Sequence, residues 1–240
     1  ENGILRRNSR IHVAHLAGLR PATTYQYRLV NLTPVRARRS LWPRSDRSAN
    51  FQTLDPGRET FTFAACSDIH SNVMMLDRLM GLPEVGQADF FVNLGDMLSH
   101  MNGPEASFAG FLDLQADRFG RRRPLVFVRG NHEARGQYAR RLLDYFDTPG
   151  GGYYYAFTRG PVHFLVLDGG EDKLDESNEY FGLVNFKPYL EQEAVWVADQ
   201  VKSDAFRQAA FRVVLCHIPL AASKPGDYRA PIIEALKEAS

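Results

Sequence analysis

Pro124-Leu125-Val126-Phe127-Val128-Arg129-Gly130-Asn131-His132-Glu133 is the stretch whose reading decides the fold. Its first five residues are apolar, rich in β-branched and aromatic types, and too few for a helix, so they predict a buried strand. Gly130 lets the backbone turn sharply with no Cβ in the way. Asn131 and His132 then stand at the C-terminal edge of a strand, where open α/β sheets place their ligands. Three other segments share this design. Phe61–Cys66 runs into Ser67-Asp68-Ile69-His70, Asp89–Leu94 into Gly95-Asp96, and Phe211–Cys216 into His217. One strand ending in Asp, Asn or His means little, but four in order point to a site.

Between these strands the spacing predicts helices. Val73, Leu76, Leu79 and Met80 mark one over 73–82, with Ser71 or Asn72 as its cap. Met74, Met75 and Met80 read as core filler. Phe108, Phe111, Leu112 and Leu114 mark a helix over 106–119, and a third is expected over 137–146. Tyr153–Thr158 and Val162–Leu167 read as a hairpin about Arg159-Gly160-Pro161. Residues 169–187 form a long polar loop, a length that is uncommon without a function. A helix over 192–201 should bury Val195, Trp196 and Val201, and another begins at Ala230.

Residues 1 to about 55 have a different texture. Ile11–Leu16 and Tyr25–Val30 alternate apolar and polar, as half-buried strands do, and Phe51-Gln52-Thr53 closes the segment. His12 and His15 would point to opposite faces of such a strand, so they read as structural. Asp55-Pro56-Gly57-Arg58 is a turn-rich boundary, dividing the chain into 1–56 and 57–240.

Composition excludes several classes. The 240 residues carry a net charge of +1 and are 44% apolar, which suits a packed α/β core and gives no sign of a nucleic-acid partner. The basic runs Arg36-Ala37-Arg38-Arg39 and Arg121-Arg122-Arg123 read as solvated surface. No apolar stretch is long enough to span a membrane. No signal peptide is visible. Two cysteines, Cys66 and Cys216, each at the end of an apolar strand, predict buried free thiols.

The order D-x-H (Asp68, His70), G-D (Asp96), G-N-H-E (130–133), then a strand-terminal His217 resembles the calcineurin-like metallophosphoesterases over about residues 59–217. The resemblance implies a four-layer α/β/β/α sandwich and two metal ions, Fe, Mn or Zn. It implies Asp68 and His70 on the first metal, Asp96 bridging both, Asn131 and His217 on the second, and His132 as the acid for the leaving group. Carboxylate, amide oxygen and imidazole suit hard and borderline metals. The implied reaction is hydrolysis of a small phosphoric ester, a monoester first, with a phosphodiester or an inactive metal-binding protein as alternatives. The front segment, G-L-x-P-x-T-x-Y-x-Y from Gly18, resembles part of the fibronectin III-like domain of purple acid phosphatases, whose complete form needs about seven strands. Relatives of that kind imply an extracytoplasmic location. The family's closing G-H-x-H does not occur before Ser240, so the catalytic domain is expected to be incomplete and its metal binding weak. Ser99 and His100 stand where relatives carry a metal-binding Tyr or a phosphate-gripping Arg.

Overall fold

The computed structural model describes residues 11–29, 33–36, 39–41, 48–220 and 227–238, with the backbone alone described at 33–36 and 39–41. The front segment forms two antiparallel pairs: β1 (Thr24–Arg28) with β4 (Ser48–Gln52), and β2 (Thr33–Arg36) with β3 (Arg39–Leu41). Tyr25 stacks on Phe51 across the first pair, at 5.9 Å between ring centroids. Tyr27 donates its hydroxyl to the Arg121 carbonyl at 3.0 Å, touching the larger unit. The strand expected at Ile11–Leu16 does not form. No described strand pairs with it, and residues 12–16 are exposed. An alternating pattern needs a partner ladder, and pattern alone cannot supply one.

Strands β5 (Phe63–Cys66), β6 (Phe90–Leu94) and β7 (Leu125–Val128) make a parallel sheet in that order. Strands β8 (Tyr155–Arg159), β9 (Val162–Val166) and β10 (Phe211–Leu215) make a second, with β10 parallel and β8 antiparallel to β9. Successive side chains of a strand point to opposite faces, and the core follows that rule. Phe90, Val92, Val128, Phe164, Val166 and Leu215 meet between the sheets. Phe91 and Phe127 face outward onto Leu76, Met80, Phe111 and Phe119 of the helices covering the first sheet. Leu165 and Leu167 face outward onto Leu190, Val197 and Ile232 on the other side. The result is helix, sheet, sheet, helix.

Asn72 caps the Val73–Met80 helix by accepting from the Met75 N–H at 3.1 Å. Met80 is buried there, but Met74 and Met75 face solvent, because only one stripe of an eight-residue helix reaches the core. Residues 105–120 are helical throughout but widen into π-turns at Phe108–Leu112 and Ala116–Gly120. The expected third helix is a 3₁₀ helix, Ala139–Tyr145. The long loop includes a 3₁₀ turn at Asn178–Tyr180 and ends where the Phe186–Gln200 helix starts, with Val195 on that helix's exposed side. Both cysteines are free and half-buried, and burial pushes Cys66 up to about 11. Residues 37 and 38 of the first basic run lie outside the described residues. In the second run Arg121 pairs with Asp117, and Arg123 donates to the Gly86 and Ala88 carbonyls. No helix among the described residues is long and apolar enough to cross a membrane.

Candidate metal centre

Beyond β5 and β6 the backbone enters the left-handed region repeatedly: Asp68 (φ 56°), His70 (47°), Ser71 (62°), Gly95 (82°) and Asp96 (54°). Asp and His tolerate that region better than most residues, yet each such position costs energy and such positions cluster at functional sites. The two turns are zipped together. The N–H groups of Asp68, His70 and Ser71 donate to the carbonyls of Gly95, Asp96 and Met97 at 3.2, 2.9 and 2.9 Å. Gly95 is required twice over, by its φ and because an added Cβ would lie 2.5 Å from the His217 ring.

The side chains converge on one atom. Asp96 Oδ2 lies 3.3 Å from His217 Nε2, 3.8 Å from His70 Nε2 and 3.9 Å from His132 Nε2. His70 Nε2 is also 3.8 Å from Asp68 Oδ1. Two triads result, His70–Asp96–His132 and Asp68–Asp96–His217, each with its ligand atoms within 4.8 Å of one another and both sharing Asp96. Asp96 is the buried floor, with 4% of its side chain exposed, whereas Asp68 is the open rim at 59%. Asn131 is buried at the end of β7, beside His132, whose backbone N–H donates to Asp96 Oδ1 at 2.9 Å.

The ring orientations are fixed from behind. His217 Nδ1 donates to the Leu94 carbonyl at 2.8 Å, and His132 Nδ1 to the Ser99 carbonyl at 3.0 Å. Both Nε2 atoms are thereby turned toward the centre, the arrangement that backbone carbonyls impose on metal-ligating histidines. Burial works to lower the His217 imidazole, but the Asp96 hydrogen bond, the Leu94 carbonyl and the Asp96 charge outweigh it and push it up to about 9. Burial works to raise Asp96. Hydrogen bonds from His217 and the His132 N–H, with the charges of both rings, hold it below the usual carboxylate range. Acidic and imidazole groups this close need a cation or shared protons between them, and this donor set suits a divalent metal.

Glu133 faces away from the rings. Fully buried, it accepts from the N–H groups of Asp96 (2.7 Å), Gly130 (2.9 Å) and Leu98 (3.0 Å). One carboxylate thus ties the Gly95–Leu98 turn to the Gly130 turn. Burial raises its carboxyl above the ordinary range while those three donors pull the other way. A Cβ on Gly130 would collide with Asp96, so this approach also needs glycine. His100 lies outside the triads, exposed, its ring centroid 6.1 Å from that of His132.

Two residues of the site carry no motif. Arg135 Nη1 lies 3.1 Å from His132 Nε2, and Glu171, from the long polar loop, grips the same guanidinium at 2.9 and 3.2 Å. Their only sequence signals are an arginine three residues after the histidine and a loop of unusual length.

The profile of one family, described as calcineurin-like phosphoesterase, matches residues 61–238. The chain belongs to the calcineurin-like phosphoesterase family. Both triads lie inside the matched region. No curated protein sequence matches the chain. Among solved structures it is similar to purple acid phosphatase PPD1 from yellow lupin (Lupinus luteus) seeds, with a TM-score of 0.61 and 14% identity. That likeness covers 90% of this chain and 41% of the lupin chain, so this phosphoesterase chain spans less than half of that relative's length. At such identity the likeness establishes a shared fold, the mixed α/β sandwich described above.

Proposed function

We propose that this chain carries the catalytic centre of a hydrolase that cleaves phosphoric monoesters at a pair of metal ions. The observation that carries the reading is Asp96 Oδ2, faced by His70, His132 and His217 and shared by two triads that extend to Asp68. By the family's pattern Asp68 and His70 would hold one ion and Asn131 and His217 the other, with the Asp96 carboxylate, common to both triads, open to either. Membership of the family supports bound divalent metal, and the turned-in Nε2 atoms fit it. When bound, such a pair supplies the positive charge that activates water and steadies a phosphoryl group during in-line displacement.

The chain's own residues do the rest. The left-handed turns at Asp68, His70 and Asp96 bring ligands from separate strands to one place before substrate arrives. Asp68 at the rim leaves the centre open to a small anionic ester. His132, held through Nδ1 by the Ser99 carbonyl, keeps Nε2 at the centre, where it gives a proton to the departing ester oxygen. The front strands are read as part of a fibronectin III-like unit over 1–56, preceding a catalytic unit over 57–240.

The test is direct. Metal content by mass spectrometry and hydrolysis of p-nitrophenyl phosphate are measured with Mn²⁺, Zn²⁺ or Fe, for the wild-type chain and Asp96→Asn. Bound metal and turnover that both depend on Asp96 support the reading. Metal content unchanged by Asp96→Asn refutes it.

A further inference from the structure

We propose that Arg135 is a catalytic residue that donates a hydrogen bond to the ester oxygen as it departs. The proposal rests on the phosphoesterase reading above. Its first support is position: Nη1 lies 3.1 Å from His132 Nε2, so guanidinium and imidazole converge on the same point of the centre. Its second is a count of donors. A guanidinium has five N–H bonds. Nε–H goes to Glu171 Oε1 (3.2 Å), and the two on Nη2 go to Glu171 Oε2 (2.9 Å) and Asp172 Oδ1 (3.3 Å). One on Nη1 goes to His132 Nε2, and the other has no partner among the described residues. Four bonds thus fix the plane of the fork, and the fifth is left on the atom nearest the reacting groups.

The third support is what holds it. Glu171 has 1% of its side chain exposed and also accepts from the Tyr180 hydroxyl at 3.0 Å. Tyr180 is itself buried in the 3₁₀ turn of the long loop. The length of that loop is thereby accounted for, since it brings a buried carboxylate to aim Arg135. Arg135 keeps 22% of its side chain exposed, so a substrate can reach it. Arginine is always charged and pairs with oxyanions through a rigid fork, which suits it to an oxygen gaining negative charge.

In the step inferred, water adds to phosphorus and releases one proton to solvent as the P–O(ester) bond breaks, its electron pair staying on the departing oxygen. The free Nη1–H stabilises that charge without giving up its proton, and His132 enters the step as the imidazolium, its Nε2–H taken from solvent in place of the contact with Arg135, and supplies the proton that the oxygen finally takes. The contribution should be greatest for poor leaving groups, where most charge accumulates.

The experiment compares p-nitrophenyl phosphate, whose phenolate departs readily, with a simple alkyl phosphate. Wild type, Arg135→Met and Arg135→Lys are assayed in the same metal, with metal affinity measured separately. Arg135→Met is expected to lower kcat/KM about 100-fold for the alkyl ester and less than about 10-fold for the nitrophenyl ester, with Arg135→Lys between. Metal affinity should stay within about threefold of wild type in Arg135→Lys, which keeps the charge and loses the fork. Equal losses on both esters, or none, would overturn the assignment. Wild type that binds metal but turns over neither ester removes the phosphoesterase reading itself, and this inference with it.

Discussion

Replacing Glu133 with alanine gives the sharpest perturbation available. Its carboxylate accepts three N–H groups, from Asp96, Leu98 and Gly130, in a place with no solvent exposure. Each buried donor left without a partner costs about 1–3 kcal/mol, so three orphaned donors cost at most about 9 kcal/mol. Water entering the vacated space recovers part of that, and about 3–6 kcal/mol is the expected loss. For a chain of this size each kcal/mol moves the melting midpoint roughly 2–4 °C, so a fall of about 6–24 °C is expected. Glu133→Gln should lose less, about 1–3 kcal/mol, since its amide oxygen keeps part of the set while its NH₂ confronts a backbone donor. The assay is urea unfolding of metal-free protein, followed by metal titration of the folded variant. Metal affinity should fall at least tenfold, because Asp96 is held in the left-handed region by this contact. A stability loss below about 1 kcal/mol, or unaltered metal affinity, would refute the idea that one carboxylate sets the two turns.

Three further outcomes are expected. Metal binding must displace the proton that Asp96 holds on His217, so affinity should rise about tenfold per pH unit up to about 9 and then level off; a flat profile in chelator competition contradicts this. The same raised imidazole stabilises the metal-free fold fully below its unfolded value of about 6.5, and that share is lost as pH climbs through about 9, which unfolding at stepped pH would reveal. Gly95→Ala should weaken metal binding strongly through the His217 ring, whereas Gly150→Ala, also at positive φ but with nothing within 4 Å, should cost only backbone strain; equal effects on metal affinity would defeat the steric account. Asp168→Ala strands the Arg129 guanidinium, only 12% exposed and paired at 2.5 Å, and should cost about 3–5 kcal/mol in denaturant, while the double change Arg129→Met with Asp168→Leu should recover most of it.

What could be read from the sequence was whatever is local. Phe127-Val128-Arg129-Gly130-Asn131-His132 contains its strand, its turn and its chemistry within six residues, and the same holds around Asp68, Asp96 and His217. The sequence marks Asp89–Leu94 as a strand but not its faces; the structure turns Phe90 and Val92 to one side and Phe91 to the other, since neighbours in a strand must diverge. Pairings across long separations left no trace. Asn93, in the middle of an apolar strand, exchanges hydrogen bonds of 2.6 and 3.0 Å with buried Gln115, and neither residue advertises the other. Arg135 and Glu171 are 36 positions apart and meet only because the β9 loop folds over the centre. Ile11–Leu16 failed in the opposite sense: a periodic stretch with no described ladder to join stays outside any sheet.

The candidate site crosses a seam. Asp68, Asp96, Asn131 and His132 hang from the first sheet and His217 from the second, and what sets the gap is the aromatic filling of Phe90, Phe157 and Phe164, with centroids 4.6 to 6.1 Å apart. These phenylalanines therefore act as shims. Thinning one, far from any oxygen or nitrogen of the centre, would alter the 3.3 Å between Asp96 and His217. Selection on the candidate site should accordingly leave its mark on hydrocarbon volume between the sheets as much as on the polar side chains themselves.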